Sequence, residues 1–199
     1  MMKITRIIVL SLVSLLLAAQ VQAAEISFVG SATLPNLSIT DLPSGTTATT
    51  ATHAGFGGGV LLNFHLTPMV SFEVGGLYTD KKFDITASAG GVSATSTFTG
   101  YYLQIPALLR YWVNPMFSLG VGGFWEHGET GSYTSGTVSD DGVVGSVGIR
   151  LPLGSGGTKF LVDGRYYYGL TNIGSNGDTA HYRDIQVLAG FSFPLGMGR

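Results

Sequence analysis

The sequence contains no cysteine, few charged residues and no long apolar run beyond its amino terminus. The absence of cysteine excludes disulfide scaffolds, thiolate zinc sites and thiol nucleophiles. Charged residues make up 11% of the 199 residues, whereas about a quarter is usual for a soluble domain, so we expect part of the surface to face lipid. The formal net charge is −2 and there is no basic run, which argues against nucleic-acid binding.

The amino terminus has the pattern of a secretory signal peptide. Lys3 and Arg6 precede an apolar run from Ile7 to Ala19, and the small residues of Val21-Gln22-Ala23 form a peptidase cleavage pattern. The run is shorter than the ~20 residues needed to span a bilayer as a helix, although an uncleaved anchor is the alternative. We therefore expect a signal peptide at 1–23, removed on export, and a mature domain at 24–199.

Apolar and polar residues alternate along much of the mature chain, which predicts strands with one apolar face. Tyr101, Leu103 and Ile105, for example, alternate with Tyr102 and Gln104. The pattern occurs in eight segments, within 26–34, 56–66, 70–80, 101–111, 117–125, 143–151, 160–168 and 185–193. Their lengths are near the 9 to 11 residues that a tilted strand needs to cross a membrane, and single-chain bacterial barrels have an even number of strands.

The connections between these segments alternate between long and short. The long ones, rich in Ser, Thr, Gly and Asp, are 38–52, 81–97, 126–141 and 171–181. The short ones, which carry Pro, Gly or Asn, are 67–69, 112–115 and 152–158. Outer-membrane barrels have long loops outside and short turns in the periplasm.

Only a closed sheet satisfies every backbone group in hydrocarbon. The sequence therefore predicts an all-β protein, an eight-stranded antiparallel up-and-down transmembrane β-barrel. A soluble lipocalin-like barrel is the alternative, and it would place polar residues outside and apolar residues inside.

Aromatic residues near the ends of the predicted strands are expected to form two girdles at the membrane interfaces. The outer girdle would contain Tyr78, Tyr101, Trp125 and Tyr168, and the inner one Phe64, Tyr111, Trp112 and Phe193.

The run from Tyr101 to Tyr111, with its Ile-Pro, Leu-Leu and Arg-Tyr steps, resembles a central strand of the small Gram-negative outer-membrane β-barrels. That family includes opacity-type surface antigens and the OmpX-like and OmpA-like barrels. The resemblance covers about 24–195 and implies insertion into the outer membrane by the barrel-assembly machinery. Such proteins usually end on an aromatic residue, whereas Phe193 is followed here by six more residues.

Five charged residues occupy positions at which the alternation of their strands predicts a side chain that faces the lumen. They are Glu73, Arg110, Arg150, Asp163 and Arg165. Hairpin register places Arg150 near Asp163 and Glu73 near Arg110, with Arg165 close by. Buried charges need partners, so we expect a paired cluster that plugs the inner half of the lumen; an ion path or an anion site is the alternative.

No motif predicts catalysis, a cofactor or a metal site. His53, His65, His127 and His181 are isolated and lack H-x-x-x-H spacing. Lipid A deacylases on small barrels use a serine and a histidine at the outer rim, and His127 with Ser132 and Glu129 offers the nearest arrangement. A flexible loop does not hold such groups in catalytic geometry, so we expect a protein that is not an enzyme, with lipid modification as an alternative function.

The four long loops are the expected sites of interaction, because recognition in barrels is concentrated in connecting segments. We expect a monomer with a structural or surface-interaction role, in contact with outer-membrane lipid and lipopolysaccharide, whose loops bind an extracellular or host ligand. A narrow pore is a further alternative. Glu126, Glu129, Asp140 and Asp141 should lie on a solvated acidic loop, or bind a divalent cation that bridges lipopolysaccharide phosphates.

Overall fold

The computed structural model describes residues 23–40, 46–130, 136–173 and 179–196, which form ten β-strands. The strands are β1 (Ala23–Leu34), β2 (Leu37–Thr40), β3 (Thr46–His53), β4 (Gly55–His65), β5 (Val70–Ala89), β6 (Val92–Trp112), β7 (Phe117–Thr130), β8 (Gly136–Pro152), β9 (Lys159–Gly169) and β10 (Thr179–Leu195). Among these residues there is no helix with the length and apolar character to cross a membrane. The predicted signal peptide lies outside the described residues except for Ala23.

Eight of the strands form a closed antiparallel ring. The order is β1, β4, β5, β6, β7, β8, β9 and β10, and β10 pairs back to β1. The closing seam runs from Ala24 opposite Leu195 to Leu34 opposite Ile185. The predicted eight-stranded up-and-down barrel is therefore confirmed, and short turns join its strands at the inner end.

The expected long loops at the outer end are mostly strand, which corrects the sequence analysis. Within 38–52, β2 pairs with β10 and β3 pairs with β5, and 81–97 belongs to β5 and β6. Within 126–141 and 171–181, β7, β8 and β10 occupy most of the described residues. The apolar alternation ends where the lipid ends, but backbone pairing continues because threonine favours strands on a water-exposed sheet.

The hairpin of β5 and β6 rises above the rest of the barrel. In the part of the chain that the structure describes, pairing of β6 with β7 extends to Gly100 opposite Thr130, whereas pairing of β6 with β5 continues to Val92 opposite Ala89. The eight residues from Val92 to Thr99 correspond to about 26 Å of strand at ~3.3 Å per residue. With β3 on the other side of β5, the outer end carries a three-stranded sheet, which we call the projecting sheet.

The two faces of the barrel have opposite chemistry. Along β6, Leu103, Leu109 and Tyr111 are exposed on the outside, and Gln104 and Arg110 are buried inside. This is the reverse of a soluble barrel, in which the apolar side chains fill the interior.

Candidate functional site in the lumen and at the outer rim

The inner half of the lumen contains a network of two arginines and two carboxylates. Arg110 Nε donates to Glu73 Oε2 at 2.8 Å, and Arg165 Nη2 donates to Glu73 Oε1 at 2.6 Å. Asp163 accepts from Arg110 Nη2 and, at 2.8 Å, from Arg165 Nε. All four side chains are almost completely buried, so each charge is compensated by direct hydrogen-bonded partners.

Arg150 lies at the same end but has a different main partner from the one expected. Its Nη1 donates to Glu25 on β1, and its Nη2 is 3.9 Å from Glu73. Register places Arg150 opposite Leu161 rather than opposite Asp163. Glu25 also accepts from Lys159 Nζ. Glu25 was not predicted to face the lumen because the alternation of β1 is weak.

Trp112 lies inside the lumen, which corrects its expected place in the inner aromatic girdle. Its side chain is buried, and its Nε1 donates to Ser71 Oγ at 2.8 Å. The Arg150 guanidinium lies over the indole at 4.6 Å. The alternation that directs Arg110 inward and Tyr111 outward also directs Trp112 inward, and the position at the end of the strand was misread as a membrane interface.

The other expected girdle residues have their rings on the outer surface. Tyr78 stacks on Tyr101 across β5 and β6 with ring centroids 6.1 Å apart. Tyr78, Tyr101, Tyr111, Trp125, Tyr168 and Phe193 are exposed, and Phe64 is half-buried.

An apolar layer lies next to the inner network. One group consists of Val29, Leu61, Leu77, Leu161 and Leu188. A second consists of Leu108, Phe124, Val144 and Tyr167, in which the Phe124 and Tyr167 rings meet edge to face at 5.0 Å. A cavity of about 10 Å³ remains beside Leu61, Glu73 and Arg110, which is room for about one water molecule.

A second charge cluster lies on the outer side of this layer, and we call it the outer cluster. Lys81 Nζ is 2.6 Å from Glu126 Oε1 and 2.6 Å from Asp184 Oδ2. It also lies over the rings of Tyr182 and Tyr102, at 4.2 and 4.7 Å from their centroids. All three charged side chains are 1% exposed. The expectation that Glu126 lies on a solvated loop is therefore wrong.

Sequence reasoning missed the outer cluster because its members were assigned to loops or left without a partner. The two-residue alternation of β5, continued past its apolar part, places Lys81 on the inward face with Leu77 and Thr79. The alternation of β7, continued in the same way, places Glu126 on the inward face. Asp140 is also buried, whereas Glu129 and Asp141 are exposed.

The outer end of the lumen is covered by a group of apolar side chains. Its buried members are Leu37, Phe83, Tyr102, Ala180 and Tyr182. The hydroxyls of Tyr102 and Tyr182 are 3.0 Å apart. Because Leu37 belongs to β2 and Phe83 to the outer part of β5, one strand outside the ring and one extended ring strand contribute to this apolar cover.

The histidines at the outer end have separate local partners. His53 Nε2 is 2.8 Å from Asp84 Oδ2, and this hydrogen bond lowers the pKa of the half-buried Asp84 carboxyl. His127 Nδ1 is 2.7 Å from Ser139 Oγ on the neighbouring strand, and its ring stacks on Trp125. Ser132 lies outside the described residues. Within the described ranges, no three His, Asp or Glu side chains are grouped to hold a metal ion.

Comparison with known proteins identifies the class to which this barrel belongs. The family model described as "Outer membrane protein beta-barrel domain" matches residues 9–193. The chain therefore belongs to this family of Gram-negative outer-membrane β-barrel proteins. No curated protein matches the sequence.

Solved structures of outer-membrane proteins are similar in fold. OprG from Pseudomonas aeruginosa has a TM-score of 0.60 at 13% identity, over 87% of this chain and 95% of that one. Ail of Yersinia pestis has a TM-score of 0.49 at 14% identity, over 85% and 99% of the two chains. Neisserial surface protein A has a TM-score of 0.49 at 12% identity, over 85% and 96%.

Proposed function

We propose that this protein is a closed outer-membrane barrel that presents its projecting sheet to partners outside the cell. It is exported with the signal peptide at 1–23, inserted by the barrel-assembly machinery as a monomer, and surrounded by lipid and lipopolysaccharide. Cleavage after Ala23 leaves a chain that starts at Ala24, whose side chain is buried beside the closing seam.

The lumen is plugged and does not conduct. Support comes from the inner network and the apolar layer, which together leave a cavity of about 10 Å³ beside Glu73 and Arg110. Moving an ion through this region would break several buried ion pairs at once, and each such break is strongly unfavourable.

The proposed binding of partners outside the cell is supported mainly by the free edge of the projecting sheet. Among the described residues, 92–99 of β6 pair with β5 alone, and 92–97 are exposed. This stretch and β3 on the opposite edge contain no proline, Lys, Arg, Asp or Glu. Natural sheets usually protect such edges with charges or proline, and an unprotected edge is suited to the addition of an extended partner segment.

The test is binding of cells that display the protein to immobilised fibronectin, laminin and collagen. We expect wild-type cells to bind at least one of them and Thr95→Lys, which places a charge on the free edge, to reduce binding about tenfold, equivalent to ~1.4 kcal/mol. The matched control is Thr86→Lys, because Thr86 is the cross-strand partner of Thr95 on the central strand.

Binding that is equal in the two variants would reject the free edge as the interaction surface. Absence of binding to any of these proteins, with clustering of wild-type cells that Thr95→Lys abolishes, would instead identify a second copy of the chain as the partner.

Lipid modification is a second candidate function, supported by the hydrogen bond between His127 and Ser139. Both side chains are on the outer surface near Trp125, and a serine needs a base within hydrogen-bond reach to act as a nucleophile. Mass spectrometry of lipid A from expressing cells tests it. Loss of an acyl chain that disappears in Ser139→Ala but persists in the control His53→Ala would support an enzyme, and unchanged lipid A would reject one.

A further inference from the structure

A cavity of about 480 Å³ opens at the inner mouth of the barrel, and we call it the inner-mouth cavity. Its lining includes His65 at the end of β4, Trp112 at the end of β6 and Lys159 at the start of β9. These three strands are not neighbours in the ring, so the cavity lies over the mouth and faces the periplasm rather than the lipid. Its volume is within the range of small-molecule sites, roughly 300–1,000 Å³.

Two turns with defined hydrogen bonds supply the apolar walls of the inner-mouth cavity. Met69 comes from the turn before β5, and Val113 comes from the turn after β6. In the second turn, Asn114 Oδ1 accepts hydrogen bonds from two backbone N–H groups further along the chain, at 2.8 and 2.9 Å. The backbone N–H of Trp112 donates to the Met69 carbonyl at 2.8 Å, which joins the two turns. The walls are therefore formed before a ligand arrives, as is usual for ligand sites.

The polar side of the inner-mouth cavity has an excess of positive charge. The inner network balances two arginines with two carboxylates, whereas Arg150 and Lys159 beside it share the carboxylate of Glu25. His65 Nε2 is 3.6 Å from the same carboxylate. The Lys159 side chain is 29% exposed, and its ammonium has three donors, of which one is directed to Glu25. An anion in the cavity can therefore bind Lys159 without displacing Glu25.

We propose that the inner-mouth cavity binds a soluble anion with an apolar body, of the aromatic carboxylate type. The apolar body lies against Met69 and Val113, where its burial is favourable. The carboxylate accepts a charge-assisted hydrogen bond from Lys159, which is stronger than one between neutral groups. Because the cavity faces the periplasm, the ligand enters from water and not from the lipid. The site is at the end of the barrel opposite to the projecting sheet, so it is independent of the proposed partner binding.

The test is titration of the refolded protein, in nanodiscs of phosphatidylcholine, with phenylacetate. The chain has two tryptophans, so Trp125→Phe leaves Trp112, which borders the cavity, as the fluorescent reporter. We expect a saturable change in Trp112 fluorescence. The uncharged phenylacetamide, which has the same apolar body, should bind at least tenfold more weakly, equivalent to ~1.4 kcal/mol. This comparison separates recognition of the charge from partition of the ring into lipid.

Lys159→Gln in the Trp125→Phe background should weaken phenylacetate binding about tenfold, because it removes the accessible cation of the cavity. The matched control is Lys82→Gln, which removes an exposed lysine at the outer end of β5 and should leave the affinity unchanged. Met69 is an exposed turn residue, and its two variants serve if Lys159→Gln does not fold. Met69→Glu should abolish binding by charge repulsion, whereas Met69→Gln, of similar size but uncharged, should weaken it less.

Three results would overturn the proposal. The first is the absence of a saturable response to phenylacetate, or an equal affinity for phenylacetate and phenylacetamide, which would mean that the cavity does not recognise an anion. The second is an equal affinity in Lys159→Gln and Lys82→Gln, which would place the bound anion elsewhere. The third is loss of the response in nanodiscs that contain phosphatidylglycerol, which would assign the cavity to a lipid headgroup.

Discussion

Glu73 is the residue that joins the two arginines of the inner network. It accepts hydrogen bonds from Arg110 and Arg165, and all three side chains are almost completely buried. Glu73 therefore compensates two charges that are buried away from bulk solvent.

Replacement of Glu73 by glutamine should strongly destabilise the barrel. The change leaves two buried guanidinium groups with one carboxylate fewer, and loss of one partner of a buried pair costs about 3–5 kcal/mol. Urea unfolding of the refolded protein in micelles measures it. Lys159→Gln is the control, because Lys159 is partly exposed, and exposed pairs contribute about 1 kcal/mol or less.

The two tryptophans should respond oppositely to lipid. Trp125 is on the outer surface and Trp112 is buried in the lumen, so brominated lipid should quench the fluorescence of Trp125 alone. Trp112→Phe should retain strong quenching and Trp125→Phe should lose it. Quenching of both single-tryptophan proteins would place Trp112 in the lipid girdle after all.

Parity predicted the inward direction of Glu73, Arg110, Arg150, Asp163 and Arg165 from the sequence. The expected approach of Glu73 to Arg110 and Arg165 is found in the structure, but the expected partner of Arg150 is not. Two-residue alternation specifies which face a side chain occupies, whereas pairing depends on strand stagger across the ring. Thus Arg150 was assigned to Asp163, while the structure gives it Glu25 from a strand distant in sequence.

At the scale of elements, the strands continue past the membrane-spanning part, in which contact with lipid makes apolar and polar residues alternate. The sequence predicted the eight membrane strands because lipid on one side and a packed lumen on the other enforce alternation. It did not predict β2, β3 or the outer parts of β5 and β6. Near the tip of the projecting sheet, in 87–97, most side chains are exposed, so Thr, Ser and Ala there give no alternating signal.

The turn at the tip of β5 and β6 depends on two glycines. Gly90 and Gly91 have φ of 58° and 84°, values that β-branched residues avoid. Gly91→Val should increase hydrogen exchange within 82–99 without altering the heat-dependent gel mobility of the barrel. Gly90→Asn is the control, because Asn-Gly suits this turn; equal exchange in both variants would contradict the role of the glycine.

At the scale of the whole molecule, polar and apolar layers alternate along the lumen. The inner network, the apolar layer, the outer cluster and the apolar side chains of Leu37, Phe83 and Ala180 follow one another from the periplasmic end to the outside. This order fits an eight-stranded barrel, whose interior is just wide enough for side chains.

The layered lumen should not pass ions. We expect single-channel recordings of the wild-type protein in planar bilayers to remain at baseline, with a general porin in the same bilayers as the positive control. Steady conductance steps that change in Arg110→Ala would show that the ion pairs line an open path instead.

The seam between β1 and β10 means that the barrel closes only when the first and the last strand of the ring pair with each other. Ala24 meets Leu195, so no intermediate that lacks either terminal strand can remove its last unpaired edges. Contacts between distant parts of a chain form slowly, and unpaired edges favour aggregation. Pairing of β10 with β1 is therefore the step that removes the aggregation-prone edges of the chain. Truncation of either end should lower the yield of assembled barrel more than it lowers the stability of the barrels that do assemble.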